Sequence, residues 1–461
     1  MNTEFRSDLT TGSVPKQLIK FALPFLLSNF LQALYNIVDM VIVGRFSGNI
    51  ASITGVNMGS QVSILVVGAA VGLSVGGTVL IAQYAGAKRY NEQREVIGTM
   101  TTIYLILSVI ITVVMLALAR PVLNLLNTPI NAYSETLSYY RICIAGTVFM
   151  LLYNAISAIL RGMGDSKRPM YFIIIATVVN IILDIILVAK FKMGAAGAAY
   201  ATIAAQAISV ILSVIFLVKK DFFKGYTLKD FKIKKDKMIL LFKIGLPSSV
   251  QQVLNSLAFL TLTALVNGLP GADVLSASQG VASKINSLAI LPAFAMSGAI
   301  SSMAGQNLGA REYDRAKKTM LVGMGMAMII LLVVWGGINL FPEPIVRLFI
   351  EEKDAISTEV IKTTSEYIHY VSLDFLVAVP MFCMNGLAIA AGSTTFTLIN
   401  TSVGALFIRV PVAYLLSRHT SLGFNGIGLS IGVGTVFSLI IVIIYTVMGK
   451  WKKTTIDEKK I

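Results

Sequence analysis

Residues 96–118, VIGTMTTIYLILSVIITVVMLAL, run for 23 positions without a charged side chain. A helix of that length rises about 35 Å, enough to cross a hydrocarbon core of about 30 Å. Runs of similar make-up occupy 17–44, 54–83, 136–160, 169–189, 195–218, 238–266, 276–305, 319–341, 364–390, 396–417 and 424–448. The expectation is an all-α membrane protein of twelve transmembrane helices. The first run follows a short polar stretch and is too long for a cleaved signal peptide, so it is expected to remain as a helix. Composition agrees. Of 461 residues, 56% are hydrophobic and 13% charged, against roughly 25% charged in soluble domains, and the mean hydropathy is +0.78. A soluble chain this apolar could not cover its own surface.

The net charge of +15 raises nucleic acid as a partner, so its distribution matters. Loops on the side holding both termini carry 26 Lys and Arg, eight of them in 219–237. The opposite side carries eight: Arg45, Arg120, Lys190, Lys192, Arg347, Lys353, Lys362 and Arg418. By the positive-inside rule the richer side is cytoplasmic, which predicts a multi-pass plasma-membrane protein with both termini inside. The basic charge is then a topology signal. No soluble domain remains to bind nucleic acid. Cys143 and Cys383 both fall in apolar runs without metal-ligand spacing and read as small buried hydrophobes.

A repeat organises the chain. At an offset of 223, Leu23-Pro24 falls on Leu246-Pro247. Gln83, Gly86, Ala87 and Tyr90 fall on Gln306, Gly309, Ala310 and Tyr313, and Pro121 falls on Pro344. Further on the offset drifts, pairing Gly164 with Gly392 and Gly194/Gly197 with Gly423/Gly426. Two pseudo-symmetric six-helix lobes follow, 1–222 and 223–461, joined by the basic linker 219–237. An even number of spans per half puts both halves in one orientation, a known transporter plan that places a cavity between lobes and allows alternating access by rocking.

Ionisable groups inside spans are costly and suggest function. Asp39 lies five residues before Gly44, and Asp184 six before Lys190, so both sit roughly 8–9 Å below the outer surface. Tyr35 and Asn180 each lie four residues earlier and share those helix faces. Thr202 reaches a similar depth on the next span. Carboxylate, amide and hydroxyl oxygens of this kind suit a proton or Na⁺, the Na⁺ candidates being Asp39, Asn180 and Asp184. In the second half Asp374, Lys284 and Arg409 lie eight to ten residues from outer span ends and sum to +1, against −2 in the first half. Neutralisation of Asp374 by Lys284 or Arg409 is one reading; Tyr370, four residues before Asp374, keeps a coupling role open.

Gly72-Leu-Ser74-Val-Gly76 and Gly428-Leu-Ser430-Ile-Gly432 match the nucleophile-elbow pattern. That pattern needs a strand-to-helix turn, whereas both copies lie in apolar helical runs, so close helix packing is expected. His369 could serve an intramembrane hydrolase as a base, but no third member of a triad can be placed. The 19 Met and 16 Tyr would suit a cavity for apolar cations, although most are packing residues.

Tyr35-Asn36-Ile37-Val38-Asp39-Met40-Val41-Ile42-Val43-Gly44-Arg45 resembles the first-helix signature of the multidrug and toxic compound extrusion family. So do Gln83-x-x-Gly86-Ala87, Arg161-Gly-Met-Gly-Asp-Ser-Lys-Arg-Pro169, Asn180-Ile-Ile-Leu-Asp184 and Gly194-x-x-Gly197-Ala198-Ala199. The resemblance spans essentially the whole chain. It implies export of organic cations, small cationic amphiphiles among them, against inward H⁺ or Na⁺, by a monomer in the lipid bilayer that is no enzyme and needs no cofactor besides the coupling ion. It assigns first-lobe coupling to Tyr35, Asp39, Tyr139, Asn154, Asn180, Asp184 and Thr202. In the sodium-using branch a second-lobe site combines a Tyr-x-x-x-Asp, matched here by Tyr370 and Asp374, with an acid where this chain has Asn255. Gly392-Ser393-Thr394-Thr395 likewise replaces a Gly-Asp-Thr-Lys type of loop. A lipid-linked oligosaccharide flippase of the same superfamily is the alternative, and a basic cavity would favour it.

Overall fold

The computed structural model describes residues 7–47, 49–350, 352 and 354–457, and among them every regular element is helical. Lys353, counted above on the outer side, lies outside the described residues. The first half comprises α1 (Val14–Phe46), α2 (Ile50–Gly86), α3 (Tyr90–Ala117), α4 (Ala119–Leu125), α5 (Tyr133–Ala145), α6 (Thr147–Gly162), α7 (Lys167–Asp184) and α8 (Gly194–Lys219). The second comprises α9 (Lys235–Asn267), α10 (Ala272–Ala289), α11 (Leu291–Gly309), α12 (Tyr313–Leu340), α13 (Pro342–Arg347), α14 (Ala355–Ser372), α15 (Asp374–Ala390), α16 (Thr394–Ser402), α17 (Val410–His419) and α18 (Phe424–Val447). Wide π turns follow α7 at Ile185–Lys190 and join α16 to α17 at Val403–Arg409.

Nine helical stretches of the described residues are long and apolar enough to cross a membrane. The pairs α5/α6 and α14/α15 each form a further span, bent by 46° and 41°. The 37-residue α2 completes twelve. Spans read as continuous at 136–160 and 364–390 are therefore broken, at Gly146 and Leu373. The second break separates Tyr370, on α14, from Asp374, the first residue of α15.

The repeat reaches into the backbone itself. Left-handed conformations recur at matched positions: Lys88 with Arg311, Gly164 with Gly392, and Gly194 with Gly423. Both bent spans break at equivalent points as well.

The chain divides into two compact units, one built mainly of Leu23–Ser249 and the other of Thr10–Ala22 with Val250–Asp457. In the first, α2 packs on α5 and α6, and α8 on α5 and α7. In the second, α11 packs on α12 and α15, and α15 on α18. Lipid tails are as apolar as leucine, so helices in a bilayer associate by close packing of small residues. A Cβ on Gly72 would lie 2.2 Å from the Ser249 backbone nitrogen, and one on Gly76 2.7 Å from the Leu241 carbonyl oxygen. The Gly72–Gly76 motif is thus the seat of the first turns of α9. Ser74 between them bonds Tyr104 Oη at 2.8 Å, and Ser430 donates to the Ile427 carbonyl at 2.6 Å. Neither serine is posed as a nucleophile. His369 Nδ1 meets Asn339 Oδ1 at 2.7 Å, and Ser372 Oγ is bonded by the Asn339 amide at 3.1 Å rather than by the imidazole.

The Arg161–Pro169 motif is structural in its details. Asp165 accepts from the backbone amides of Lys167 and Arg168 at 3.0 and 3.2 Å and pairs with the Arg168 guanidinium at 2.7 Å. These bonds satisfy amides that the start of α7 would otherwise leave open. The corresponding loop at Gly392 keeps the left-handed glycine and lacks the aspartate.

Candidate functional site

Three helices of the first unit each contribute two polar residues one turn apart. They are Tyr35 and Asp39 on α1, Tyr139 and Cys143 on α5, and Asn180 and Asp184 on α7. Spacing of four puts each pair on one helix face. The carboxyl groups of Asp39 and Asp184 face one another, Asn180 lies beside Asp184, and Tyr35 Oη points towards the Thr202 hydroxyl on α8. Tyr139 lies against Cys143, with Asp39 and Tyr35 alongside.

Burial makes the cluster unusual. Asp39 is 6% exposed and Asp184 and Asn180 are fully buried. Seven of its polar atoms lack a partner in hydrogen-bond geometry: Tyr35 Oη, Asp39 Oδ1, both Asp184 oxygens, Thr202 Oγ1 and both terminal atoms of Asn180. The side chains are neighbours, set too far apart or too poorly aligned to satisfy one another. Buried polar groups are ordinarily bonded, and a buried carboxylate pair without a cation or proton is costly. Six of the seven atoms are oxygens from five residues, the donor type that hard cations prefer. The set fits Na⁺, and it equally fits a proton shared between the two carboxyls.

The frame around the acids is rigid and apolar. Ile42, Val43, Val56, Val188, Ala195, Ala198 and Ala199 pack with Tyr139 and Cys143 into one buried cluster. A Cβ on Gly59 would fall 2.4 Å from Tyr139 Cδ1, so only glycine lets that ring lie flat on α2. One turn above Tyr139, Glu135 accepts from the Ala195 amide at 2.9 Å and from Ser52 Oγ at 3.2 Å. One carboxylate thereby caps the start of α8 and ties it to α2 and α5, where the helix dipole favours negative charge.

Not every expected residue joins the cluster. Asn154 is half-buried, with its amide donated to the Met150 carbonyl of its own helix at 2.8 Å. Cys143 is the small buried residue the sequence suggested, and its thiol also lies among Tyr139, Ser63 and Asp39. Its position four residues after Tyr139 is the signal that could have found it. Glu135 was missed too, because its partners are 83 and 60 residues away in sequence.

The second unit is built on a different charge plan. Asp374 is 8% exposed, with Arg409 and the Thr435 hydroxyl in its neighbourhood. Arg409 ends the π turn, and its guanidinium lies 5.5 Å from the Phe259 ring centre. A Cβ on Gly434 of α18 would meet the Arg409 side chain at 3.0 Å, so α18 leaves room for it. Lys284, the other expected partner of Asp374, is exposed, and Asn255 and Tyr370 are half-buried.

Comparison with known proteins identifies the family. The MatE family model matches residues 24–186 and 247–415. The chain is 30% identical to the probable multidrug resistance protein YoeA of Bacillus subtilis over 96% of both proteins. It is 27% identical to the probable multidrug resistance protein NorM of Thermotoga maritima, over 98% of this chain and 97% of that one. A solved structure of a MATE protein in complex with MaL6 superposes with a TM-score of 0.91 at 26% identity, covering 97% of this chain and 99% of that one. Acid cluster, repeat and twelve spans thus coincide with a family match across both halves: the chain is a membrane transporter, not an enzyme, and belongs to the MatE family of multidrug and toxic compound extrusion proteins.

Proposed function

We propose that the protein is a plasma-membrane antiporter that exports small cationic amphiphiles in exchange for H⁺ or Na⁺, with coupling carried by the first-unit acid cluster. The observation behind this reading is the facing of two buried carboxyls, Asp39 and Asp184, among oxygens without partners. Such a pair resists holding two negative charges at once. It therefore gains from taking up one cation, be it a proton, Na⁺ or a charged substrate. Competition for one site is enough to couple opposite fluxes when access alternates, because each ion's entry on one side favours release of the other. Relatives described as multidrug resistance proteins support drug-like cargo. The 26-to-8 basic asymmetry supports cytoplasmic termini.

Asp374 has a different role in this scheme. Arg409 supplies its counter-charge from within the protein, so the second unit shapes the transporter without carrying the coupling ion.

Efflux of a dye cation from proteoliposomes, under a H⁺ gradient and a Na⁺ gradient imposed separately, tests the proposal. At least one gradient drives efflux in the wild type, and neither does so in Asp39→Asn or Asp184→Asn. Full gradient-driven efflux in both variants would remove the acid cluster from the mechanism.

A further inference from the structure

The segment joining the two halves of the repeat is bonded along its length to α3. Arg94 donates to the Gly225 carbonyl at 2.6 Å and stacks over the Tyr226 ring at 5.1 Å. Thr102 Oγ1 donates to the Phe231 carbonyl at 2.6 Å, and the Lys234 amide donates to Thr99 Oγ1 at 3.2 Å. A Cβ on Gly98 would lie 2.0 Å from the Asp230 carbonyl oxygen, which shows how closely the strap is drawn onto the helix. Phe222, Phe223, Tyr226 and Phe231 interlock beneath it. At its end Lys237, 5% exposed, turns inward to Tyr84 Oη at 3.2 Å and Asp236 at 3.1 Å.

Two features fix where this strap lies and what it presents. Thr102, which holds it, sits one turn from Leu105 and Ile106, and those two continue through Val109, Ile110 and Val113 as an exposed apolar stripe. In a membrane helix that stripe faces lipid tails, so the strap runs along the boundary where headgroups begin. Its outer side presents Lys219, Lys224, Lys229, Lys232 and Lys235, all exposed, and Leu228 stands 90% exposed next to Lys229. Three acids lie on or beside the strap. Asp230 accepts from the Thr227 amide at 2.7 Å, a bond that holds its carboxyl below the usual carboxylate range, and Asp236 pairs with Lys237. Asp221 lies 4.0 Å from Lys224, a loose and exposed contact that a phosphate can displace.

We propose that the strap 219–235 is a binding surface for the headgroups of anionic phospholipids, with the five lysines contacting phosphate and Leu228 entering the interface. A flexible lysine-rich loop would meet lipid diffusely. A strap pinned to α3 holds its charges in a fixed row at headgroup depth and loses little chain entropy on binding. A lysine near an anionic surface strengthens attraction about fivefold.

The experiment uses the full-length transporter in nanodiscs of phosphatidylcholine with increasing phosphatidylglycerol, reading bound lipid by native mass spectrometry and stability by thermal unfolding. Wild type retains phosphatidylglycerol selectively, and high salt removes the preference. A variant with Lys219, Lys224, Lys229, Lys232 and Lys235 all changed to Gln retains it about tenfold less or weaker still. Its unfolding in phosphatidylcholine alone stays that of the wild type, which shows the strap intact. A control variant with Lys16, Lys20, Lys88, Lys317 and Lys318 changed to Gln keeps the preference. Equal loss in both variants, or no loss in the first, overturns the assignment. So does an equal stabilisation by inorganic phosphate in phosphatidylcholine, which would make the strap a general anion site.

Discussion

Asp39 faces a like charge and Asp374 an opposite one, so the same substitution has opposite consequences at the two positions. Asp374→Asn leaves the half-buried Arg409 guanidinium over the Phe259 ring without its counter-charge. Breaking a buried charge pair from one side costs about 3–5 kcal/mol, and the half-buried Arg409 puts this pair at the lower end of that range. A loss of about 3 kcal/mol is the expected outcome. The double variant Asp374→Asn/Arg409→Gln removes both charges and recovers most of that loss, since a neutral pair has little to desolvate. At Asp39 the sign reverses. Two neighbouring buried carboxylates repel when both are ionised, so Asp39→Asn leaves stability unchanged or raised. Transport follows the other order: Asp39→Asn abolishes gradient-driven efflux, and Asp374→Asn retains efflux in proportion to the folded protein. Thermal unfolding in detergent and dye efflux from one preparation read both quantities. If Asp374→Asn were as stable as wild type and the most damaging to efflux among Asp39→Asn, Asp184→Asn and Asp374→Asn, coupling would belong to the second unit and the reasoning would fail.

Other expectations follow from the same geometry. Substrate affinity in detergent weakens on acidification in the wild type and loses that dependence in Asp39→Asn; a flat pH profile with strong competition by Na⁺ would leave sodium as the coupling ion. Gly59→Val drives a side chain into the Tyr139 ring and destabilises by about 1–3 kcal/mol, with efflux lowered as Tyr139 moves from the acids; unchanged melting and efflux would show the contact to be slack. Lys229→Cys in an otherwise cysteine-free protein resists an impermeant maleimide applied to intact cells, and efficient labelling would invert the proposed topology.

Much of this molecule could be read from its residues, and the reasons differ by feature. Twelve spans were visible because hydrocarbon thickness sets a length that uncharged runs must meet. The proximity of Asp39 and Asp184 came from counting rises along two helices of known direction. What escaped is what depends on the partner a helix meets. The breaks at Gly146 and Leu373 leave apolar runs unbroken in sequence, because a bent helix and a straight one bury the same side chains. The π turn at Val403–Arg409 is fitted to Gly434 and Ser438 on α18, and nothing within the turn's own sequence announces it. Lys284 and Arg409 stood at similar depths, and only packing separates the exposed lysine from the half-buried arginine. The linker reads as a solvated basic loop by composition, while its aromatic residues on α3 make it a fixed part of the first unit.

The composition of the two units has a consequence for biogenesis. The start of α1, Thr10–Ala22, belongs to the second unit, and the first turns of α9 to the first. Residues 10–22 therefore emerge from the ribosome long before the helices they belong with. At about 5–20 residues per second, their partners on α12 follow roughly 15–60 s later. During that interval Arg315, which will donate to the Thr11 and Gly12 carbonyls at 2.7 Å, does not yet exist. The first unit closes sooner, once residues 235–249 have left the ribosome. Assembly is thus ordered: the first turns of α1 wait for α12 while the rest of the helix docks in the first unit, and a translocon or chaperone that shelters a half-docked α1 would be needed through that interval.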